Sequence, residues 1–266
     1  MNTIVCCKQV IDPEAPTTSF RIDTSTNSVA PLSSVLSVIS PFDEQAVEAG
    51  LRIKDAQGGK VTVLTQGVGL LPKVVSKPLA MGADELVLLE DDVFDGGDSC
   101  STAYTLAMAI RKIGEYDLVL CGRQAADWDN GQVGAGITEI LNLPCVTLAR
   151  KIDIMDGVAR VERVTPDGHE VIEVPLPAVI TVSNEIGEAR YPTLMGLRKS
   201  KKIVPIVWKP EDIDVDAGRT GVAGRRSKLL KLFQPVREGE CEIIGGESEE
   251  EAGMNLALRL REAKAL

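Results

Sequence analysis

Apolar segments of strand length alternate with helical segments along the first half of the chain, and this alternation restricts the fold more than any other feature. The buried strands are predicted at 4–9, 60–65, 85–89, 117–121 and 145–148. The helices between them are predicted at 41–56, 71–81, 100–113 and 132–141. Strands that alternate with helices form a parallel sheet covered by helices. The pattern therefore predicts an α/β fold with a doubly wound, mostly parallel sheet.

The pattern changes after about residue 150. A β-hairpin insert is predicted from segments 151–155, 158–164 and 170–174, and one more buried strand at 179–183. Beyond 205 the regularity is lost, and we expect an extended C-terminal arm with helices at 227–232 and 248–264. The sequence therefore predicts an α/β domain at 1–205 and an arm at 206–266.

Composition argues against several classes of function. The net charge of −10 disfavours a nucleic-acid partner. No apolar run approaches the roughly 18 residues of a membrane span, so we expect no direct insertion into a membrane. The single histidine, His169, lies in a predicted turn, and neither a His-based zinc site nor a Ser-His-Asp triad gains support from it. We therefore predict no metal site and no catalytic residue.

Cysteine usage indicates a reduced compartment. The six cysteines include no Cys-x-x-Cys pair, and Cys6, Cys7, Cys121 and Cys145 lie in or beside apolar strands, where a free thiol behaves as a small hydrophobe. The chain runs directly into its first strand without a charged segment before it. We therefore expect a cytoplasmic, prokaryotic protein without a targeting segment.

The segment from Leu118 to Gly134 carries the clearest indication of a ligand. A buried strand runs into a polar, glycine-bearing loop, and the loop opens a helix. In parallel α/β sheets this end of a strand is where ligands bind, and backbone N–H groups at a helix start can hold a phosphate. Asp127, Asp129 and Asn130 are candidate N-caps for that helix. From the pattern alone, a capped loop without a ligand is an equal alternative.

The amino-acid sequence of this loop resembles the signature loop of the electron transfer flavoprotein β subunit. In that family a Gly-Lys/Arg-Gln-Ala-x-Asp-x-Asp-x-x-Gln-x-Gly run surrounds an adenine nucleotide. The matching positions are Gly122, Arg123, Gln124, Ala125, Asp127, Asp129, Gln132 and Gly134. Further similar segments follow in the family's order at 8–12, 40–48, 80–84, 176–181 and 190–194. The resemblance covers roughly residues 1–210 and implies a Rossmann-like fold of the type shared with adenine nucleotide α-hydrolases.

The resemblance implies an electron carrier subunit rather than an enzyme. In that family an α subunit holds the redox FAD and the β subunit forms one wall beside it, for which Phe42 is our candidate side chain. Electrons would arrive from acyl-CoA dehydrogenases during fatty acid oxidation and leave to an electron transfer flavoprotein:quinone oxidoreductase. The work of such a chain is to bind and orient the cofactor and to tune its surroundings.

The resemblance also implies that AMP binds in this chain. The residues around it would be Cys6, Ser40, Pro41, Phe42, Asp43, Gln66, Gly122, Arg123, Gln124, Ala125, Asp127, Asp129, Asn130, Gly131, Gln132 and Val133. Electron-bifurcating relatives hold a second FAD in this pocket and usually have glycine where Trp128 stands, which favours AMP here. The Gln-Val-Gly run at 132–134 favours the second FAD instead.

Two rival functions remain to be weighed against this one. An ATP-consuming enzyme on the same architecture would need a phosphate loop such as Gly-x4-Gly-Lys-Ser/Thr, and the sequence contains none. A stand-alone adenine nucleotide-binding protein would lack the hairpin insert, the basic loop at 190–202 and the C-terminal arm.

The segment 190–202 resembles the family's recognition loop for partner dehydrogenases. Its candidate docking residues are Arg190, Tyr191, Leu194, Met195 and Arg198. Leu194 would be the apolar anchor with basic residues beside it, as in the core and rim of an interface. The alternative is a basic amphipathic helix packed on the core. The arm at 206–266 would pack on the α subunit, because an isolated helix cannot bury its own apolar face.

Overall fold

The computed structural model describes residues 1–31, 35–235 and 241–265, and within them the strands form one large sheet and two short hairpin-like pairs. The strands are β1 (Asn2–Cys7), β2 (Gln9–Ile11), β3 (Phe20–Asp23), β4 (Ser28–Pro31), β5 (Ser37–Ile39), β6 (Lys60–Gln66), β7 (Glu85–Leu89), β8 (Leu118–Gly122), β9 (Cys145–Met155), β10 (Val158–Thr165), β11 (Gly168–Pro175), β12 (Ala178–Val182) and β13 (Ile206–Trp208).

The α-helices alternate with the strands in the first half of the chain, as predicted. They are α1 (Pro41–Gln57), α2 (Pro72–Val75), α3 (Lys77–Met81), α4 (Ser99–Ile113), α5 (Val133–Leu141), α6 (Leu194–Ser200), α7 (Gly221–Gly224) and α8 (Glu249–Glu262). Short 3-10 turns lie at Thr17–Ser19, Asp92–Phe94, Asn184–Ile186, Pro210–Asp212 and Ala217–Arg219.

The large sheet has the order β11-β10-β9-β12-β8-β1-β6-β7-β13. Every pair from β9 to β13 in that order is parallel, and β9, β10 and β11 form an antiparallel meander at one edge. The predicted α/β class, the mostly parallel sheet and the β-hairpin insert are confirmed. The sheet order steps outward in both directions from β1, so the carboxyl ends of β1, β6 and β8 meet at one edge.

Successive residues of the central strands face opposite apolar layers. In β1, Val5 belongs to the layer that includes α1, whereas Ile4 belongs to the layer that includes α4 and α5. Both side chains are at most 1% exposed. A strand buried on both faces is typical of a parallel sheet with helices on both sides.

Three predicted elements differ from the structure. The helix expected at 71–81 is divided into α2 and α3, because Pro78 has no N–H to donate to the preceding turn. The strands expected at 145–148 and 151–155 form one strand, β9, whose partner β10 shifts register between Glu162 and Arg163. The helix expected at 227–232 is absent: the described residues of this segment have no regular secondary structure.

The chain forms two compact units, Met1–Leu230 and Lys231–Leu266. This division falls later than the 205/206 boundary of the sequence prediction, because β13 pairs with β7 and Ile213 is buried in the core. In the second unit Ser248 caps α8 by accepting the N–H of Glu251 at 3.2 Å. None of the described residues of α8 is buried. Among the described residues, no helix is both long and apolar enough to cross a bilayer.

Candidate functional site

A cavity of about 840 Å³ lies at the carboxyl ends of the central strands β1, β6 and β8. We call it the carboxyl-edge cavity. The loop that follows β8 forms one side, and segments 26–28, 94–99 and 225–229 contribute residues to the rest of the wall. This is the position at which open α/β sheets bind ligands.

The cavity brings together more than half of the residues predicted to surround a nucleotide. Those that line it are Cys6, Asp43, Gln66, Gly122, Gln124, Ala125, Asn130, Gly131 and Val133. Those outside its lining are Ser40, Pro41, Phe42, Arg123, Asp127, Asp129 and Gln132. Residues of this second group make contacts within the loop and with neighbouring elements, and these contacts hold the lining residues in place.

Asp43 connects three elements at the floor of the cavity. Its Oδ2 accepts the backbone N–H of Lys8 at 2.8 Å, and its Oδ1 accepts that of Gly122 at 3.2 Å. Burial raises the pKa of the Asp43 carboxyl to about 7, although the two hydrogen bonds and the charge of Lys8 act to lower it. The carboxyl group therefore titrates near neutral pH at the floor of the cavity.

Only glycine fits at position 122 in this arrangement. A Cβ there would lie 2.5 Å from Asp43 Oδ1 and 2.8 Å from the carbonyl carbon of Phe42. The first turn of α1 can approach the end of β8 because Gly122 has no side chain. Local packing alone therefore explains the glycine at this position, whether or not a ligand binds.

Acidic side chains of the loop hold it in shape. Lys8 Nζ forms an ion pair with Asp127 at 2.7 Å, which joins the loop to the residue after β1. Gln124 Nε2 donates to Asp129 Oδ1 at 2.8 Å within the loop, and Asp129 has a positive φ of 54°. Neither carboxylate caps α5, because the residue before that helix is Gln132 and its side chain makes no cap hydrogen bond. The predicted N-cap role of Asp127, Asp129 and Asn130 is therefore wrong.

Phe42 and Arg123 form a pair beside the cavity. The guanidinium of Arg123 lies 5.9 Å from the centre of the Phe42 ring, a distance at which cation–π attraction acts. Arg123 also donates to Asn184 Oδ1 at 2.9 Å. Phe42 is half-buried and does not line the carboxyl-edge cavity.

Polar atoms without partners fit a ligand in this cavity. Gln66 donates through Nε2 to the carbonyl of Phe94 at 3.1 Å, but its Oε1 is buried and has no hydrogen-bond partner among the described residues. The Oγ of the buried Ser40 is also without a partner in the described part of the chain, but Ser40 does not line the cavity. Buried acceptors in proteins are normally satisfied. A bound group that donates a hydrogen bond, such as the amino group of adenine, suits the Gln66 acceptor.

Trp128 lies in the cavity wall and is 50% exposed. In the sequence, a tryptophan at this position favours AMP over a second FAD. The cavity nevertheless extends to the far segments 94–99 and 225–229. Trp128 therefore leaves space beyond the signature loop.

Sequence reasoning missed the far wall of the cavity. The residues concerned are Thr26, Asn27, Ser28, Phe94, Asp95, Gly96, Gly97, Asp98, Ser99, Arg225, Ser227 and Leu229. A local signal existed for Asp98, which precedes α4 and accepts the N–H of Ser101 as a helix cap. No local signal existed for 225–229, because its hydrogen bonds join it to a residue more than a hundred positions earlier.

The segment 190–202 is attached to the domain by ion pairs at one end and exposes apolar side chains to solvent. Arg190 pairs with the buried carboxylate of Glu48 at 2.8 Å and with Asp55 at 2.8 Å, which ties the segment to α1. Leu194 and Met195 are 80% and 81% exposed. The other two candidate docking residues, Tyr191 and Arg198, are also exposed.

The helix α6 of this segment lies close against α3. A Cβ at Gly196 would lie 2.1 Å from the carbonyl oxygen of Ala80, so the two helices approach closely at that glycine. One face of α6 is therefore packed on the domain, whereas Leu194 and Met195 face away from it.

Within the described residues, no group of histidine, cysteine and acidic side chains could hold a metal ion.

Comparison with known proteins gives a consistent result. Residues 33–212 match the family described as the electron transfer flavoprotein domain. The chain is 40% identical over 262 residues to the electron transfer flavoprotein subunit beta of Thermoanaerobacterium thermosaccharolyticum, with 98% of each chain covered. It is 38% identical over 263 residues to the caffeyl-CoA reductase-Etf complex subunit CarD of Acetobacterium woodii, again with 98% of each covered. It is also 33% identical to the acryloyl-CoA reductase electron transfer subunit gamma of Anaerotignum propionicum, with 94% of each covered.

Proposed function

The chain belongs to the electron transfer flavoprotein family, and from this premise we propose that it is the β subunit of a heterodimeric electron carrier. The proposed partner is an α subunit that holds the redox FAD, which supplies the electron-accepting chemistry when bound. The residues of this chain would bind and orient cofactors and shield them from water. No covalent step is assigned to any of its side chains.

The observation that carries the proposal is the carboxyl-edge cavity with the signature loop in its wall. Gln124, Ala125, Asn130 and Gly131 line the cavity just before the N-terminus of α5. A helix start of this kind attracts phosphate through its free backbone N–H groups. The unpartnered Oε1 of Gln66 offers an acceptor for adenine. We infer that this chain binds an adenine nucleotide here.

The candidates for that nucleotide are AMP and a second FAD. The sequence favours AMP on the basis of Trp128. The cavity volume of about 840 Å³ lies toward the upper end of the roughly 300–1,000 Å³ range of small-molecule pockets. The cavity also continues past Trp128 to the segment 225–229. This extent favours FAD, the ligand of the electron-bifurcating alternative.

The proposed partners are enzymes that oxidise or reduce acyl-CoA substrates. Two relatives carry caffeyl-CoA reductase and acryloyl-CoA reductase in their names. We propose that the exposed Leu194 and Met195 meet a dehydrogenase or reductase of this class, such as an acyl-CoA dehydrogenase. A quinone reductase is the proposed acceptor in the simple carrier, and the bifurcating alternative would use a further acceptor.

Co-expression with the α subunit tests the proposed carrier role. We expect a stable heterodimer whose flavin is reduced when an acyl-CoA dehydrogenase and its substrate are added, as followed by the loss of flavin absorbance. The chain purified alone should show no such reduction. A chain that never associates with an α subunit and binds a nucleotide as a monomer would support the stand-alone nucleotide-binding alternative.

A further inference from the structure

Three residues of α1 hold the chain that leads from β12 into the exposed segment 190–202, and we call them the α1 clamp. They are Glu48, Arg52 and Asp55, and their spacing of four and three residues places them on one face of the helix. The partners of the clamp in the later chain lie at 186–190. The segment 190–202 is therefore attached to α1 at its first residue.

Arg52 holds the backbone on both sides of a turn. Its Nη1 donates to the carbonyl of Ile186 at 2.7 Å, and its Nη2 donates to the carbonyl of Glu188 at 3.2 Å. Gly187 between them has a φ of 103°, a conformation that residues with a side chain rarely adopt. Two donors of one planar guanidinium thus span the turn, and the single ammonium of a lysine lacks this geometry.

Glu48 is the buried centre of the clamp. Its Oε2 accepts the backbone N–H of Arg190 at 3.1 Å and Arg190 Nε at 2.8 Å, and its Oε1 accepts Arg52 Nε at 2.7 Å. Burial acts to raise the pKa of the Glu48 carboxyl, but the hydrogen bonds from Arg190 and Arg52 outweigh it and hold the pKa below its usual value. The carboxylate is therefore charged at neutral pH, and both arginines stay paired with it.

The same segment is attached to the domain a second time through α6. Gly196 lies so close to α3 that a Cβ there would be 2.1 Å from the carbonyl oxygen of Ala80. The exposed Leu194 and Met195 lie between this contact and the clamp at Arg190. A surface segment that is fixed on both sides loses less conformational freedom when a partner binds, and so it binds more tightly.

We propose that Arg52 and Glu48 are positioning residues for the electron-donating partner. They hold the segment 190–202 in one orientation, so that Leu194 and Met195 dock without a further ordering step. Arg52 acts through the backbone at 186–188, and Glu48 acts through Arg190. The inference rests on the proposed docking of a dehydrogenase or reductase at Leu194 and Met195, and it adds the residues that set the orientation of this surface.

Arg52→Lys in the full heterodimer tests the inference, because it keeps the charge but removes the two-donor guanidinium. The readout is steady-state reduction by an acyl-CoA dehydrogenase that reduces the wild-type heterodimer. The KM for the heterodimer should rise about threefold to tenfold, which corresponds to about one hydrogen bond. The kcat should stay within about twofold of the wild-type value, because the contact that is lost affects binding of the partner.

Arg111→Lys is the matched control. Arg111 lies on α4, in the helix layer on the other side of the sheet, and its guanidinium also donates to a backbone carbonyl, that of Ile140 at 2.8 Å. The variant makes the same chemical change away from the segment 190–202. Its KM and kcat should both remain at the wild-type values.

A double-mutant cycle distinguishes positioning from a general loss of stability. If the clamp acts by presenting Leu194, Arg52→Lys should raise the KM much less in the Leu194→Ala background than in the wild type. Hydrogen exchange of the free heterodimer gives a second readout. The backbone amides at 187–191 should exchange faster in Arg52→Lys, whereas those of the central strands should not change.

Three results would overturn the inference. A wild-type KM in Arg52→Lys would show that the clamp does not set the docking surface. An equal rise of the KM in Arg111→Lys would indicate a general effect of the substitution, and equal effects of Arg52→Lys with and without Leu194 would contradict positioning. If Leu194→Ala alone leaves the KM at the wild-type value, or if no acyl-CoA dehydrogenase reduces the wild-type heterodimer, the proposed docking function itself is contradicted.

Discussion

Asp43 accepts the backbone N–H of Gly122 at 3.2 Å, and this hydrogen bond joins the first turn of α1 to the carboxyl end of β8. The second oxygen of the same group accepts the N–H of Lys8 after β1. A buried ionisable group thus holds the floor of the cavity together. Its pKa of about 7 results from burial and means that it exchanges a proton near physiological pH.

The first prediction concerns the pH dependence of stability. Burial raises the pKa of Asp43 from 3.8 to about 7, so the folded chain retains a proton that the unfolded chain has lost. Stability should therefore fall as the pH rises from about 4 to about 7, with a slope of up to ~1.4 kcal/mol per pH unit from this group. Asp43→Asn removes the titration, so its free energy of unfolding should change less between pH 5 and pH 8 than that of the wild type.

Urea unfolding at both pH values measures this difference. Glu139→Gln, which removes an exposed carboxylate on α5, is the control and should follow the wild type. If Asp43→Asn loses as much stability between pH 5 and pH 8 as the wild type does, Asp43 is already ionised at pH 5 in the folded chain.

The second prediction concerns docking through Leu194. Leu194 is 80% exposed on a helix that is packed on α3 through Gly196, so its truncation removes no core contact. Leu194→Ala should slow electron transfer from the partner dehydrogenase about tenfold at subsaturating partner, since an interface anchor is typically worth about 1–3 kcal/mol. Flavin content should stay unchanged.

Stopped-flow reduction of the heterodimer at several dehydrogenase concentrations gives the rate. Leu71→Ala, at another exposed leucine, is the matched control and should react at the wild-type rate. A wild-type rate in Leu194→Ala would show that α6 has only a structural role. Loss of FAD from this variant would place Leu194 in the subunit interface instead.

The third prediction concerns the C-terminal helix α8. Its Met254, Leu256 and Leu258 are 61%, 47% and 57% exposed, and a helix of this length is only marginally stable in water without tertiary packing. We expect this surface to pack on the α subunit. A stop after Gly246 should weaken heterodimer formation, as measured by sedimentation of the two subunits over a range of concentrations.

Gly253→Ala is the control variant that changes the helix α8 but does not remove it. Nothing lies within 4 Å of a Cβ at position 253, so this substitution should leave assembly intact and strengthen the helix by up to about 1 kcal/mol. If the truncated chain assembles with the affinity of the full chain, α8 is not part of the interface.

The sequence was sufficient to predict the parallel sheet and the near side of the cavity because these depend on local patterns. The apolar run 117–121 appears as β8, and the polar loop after it lies at the carboxyl edge, as expected. The start of α1 at Pro41 also lies where the alternation of strands and helices places it, whereas β1 ends at Cys7, before the predicted end at residue 9.

The far side of the cavity could not be predicted because it depends on contacts between distant parts of the chain. The segment 227–232 has the composition of a helix but no regular secondary structure, and the chain just before and at its start is bonded to the distant Asp98. Likewise, Asp127 and Asp129 have the residue type of helix caps, but Lys8 and Gln124 engage them. In each case a long-range or loop partner competes with the local preference of the residue.

The most direct test of the account is the identity of the nucleotides released when the purified heterodimer is denatured. We predict two adenine nucleotides per heterodimer, one FAD from the α subunit and a second FAD from the carboxyl-edge cavity, quantified by chromatography of the supernatant. One FAD with one AMP would keep the nucleotide site but contradict a second FAD in the cavity. One FAD and no further adenine nucleotide would contradict the central claim that this chain binds a nucleotide.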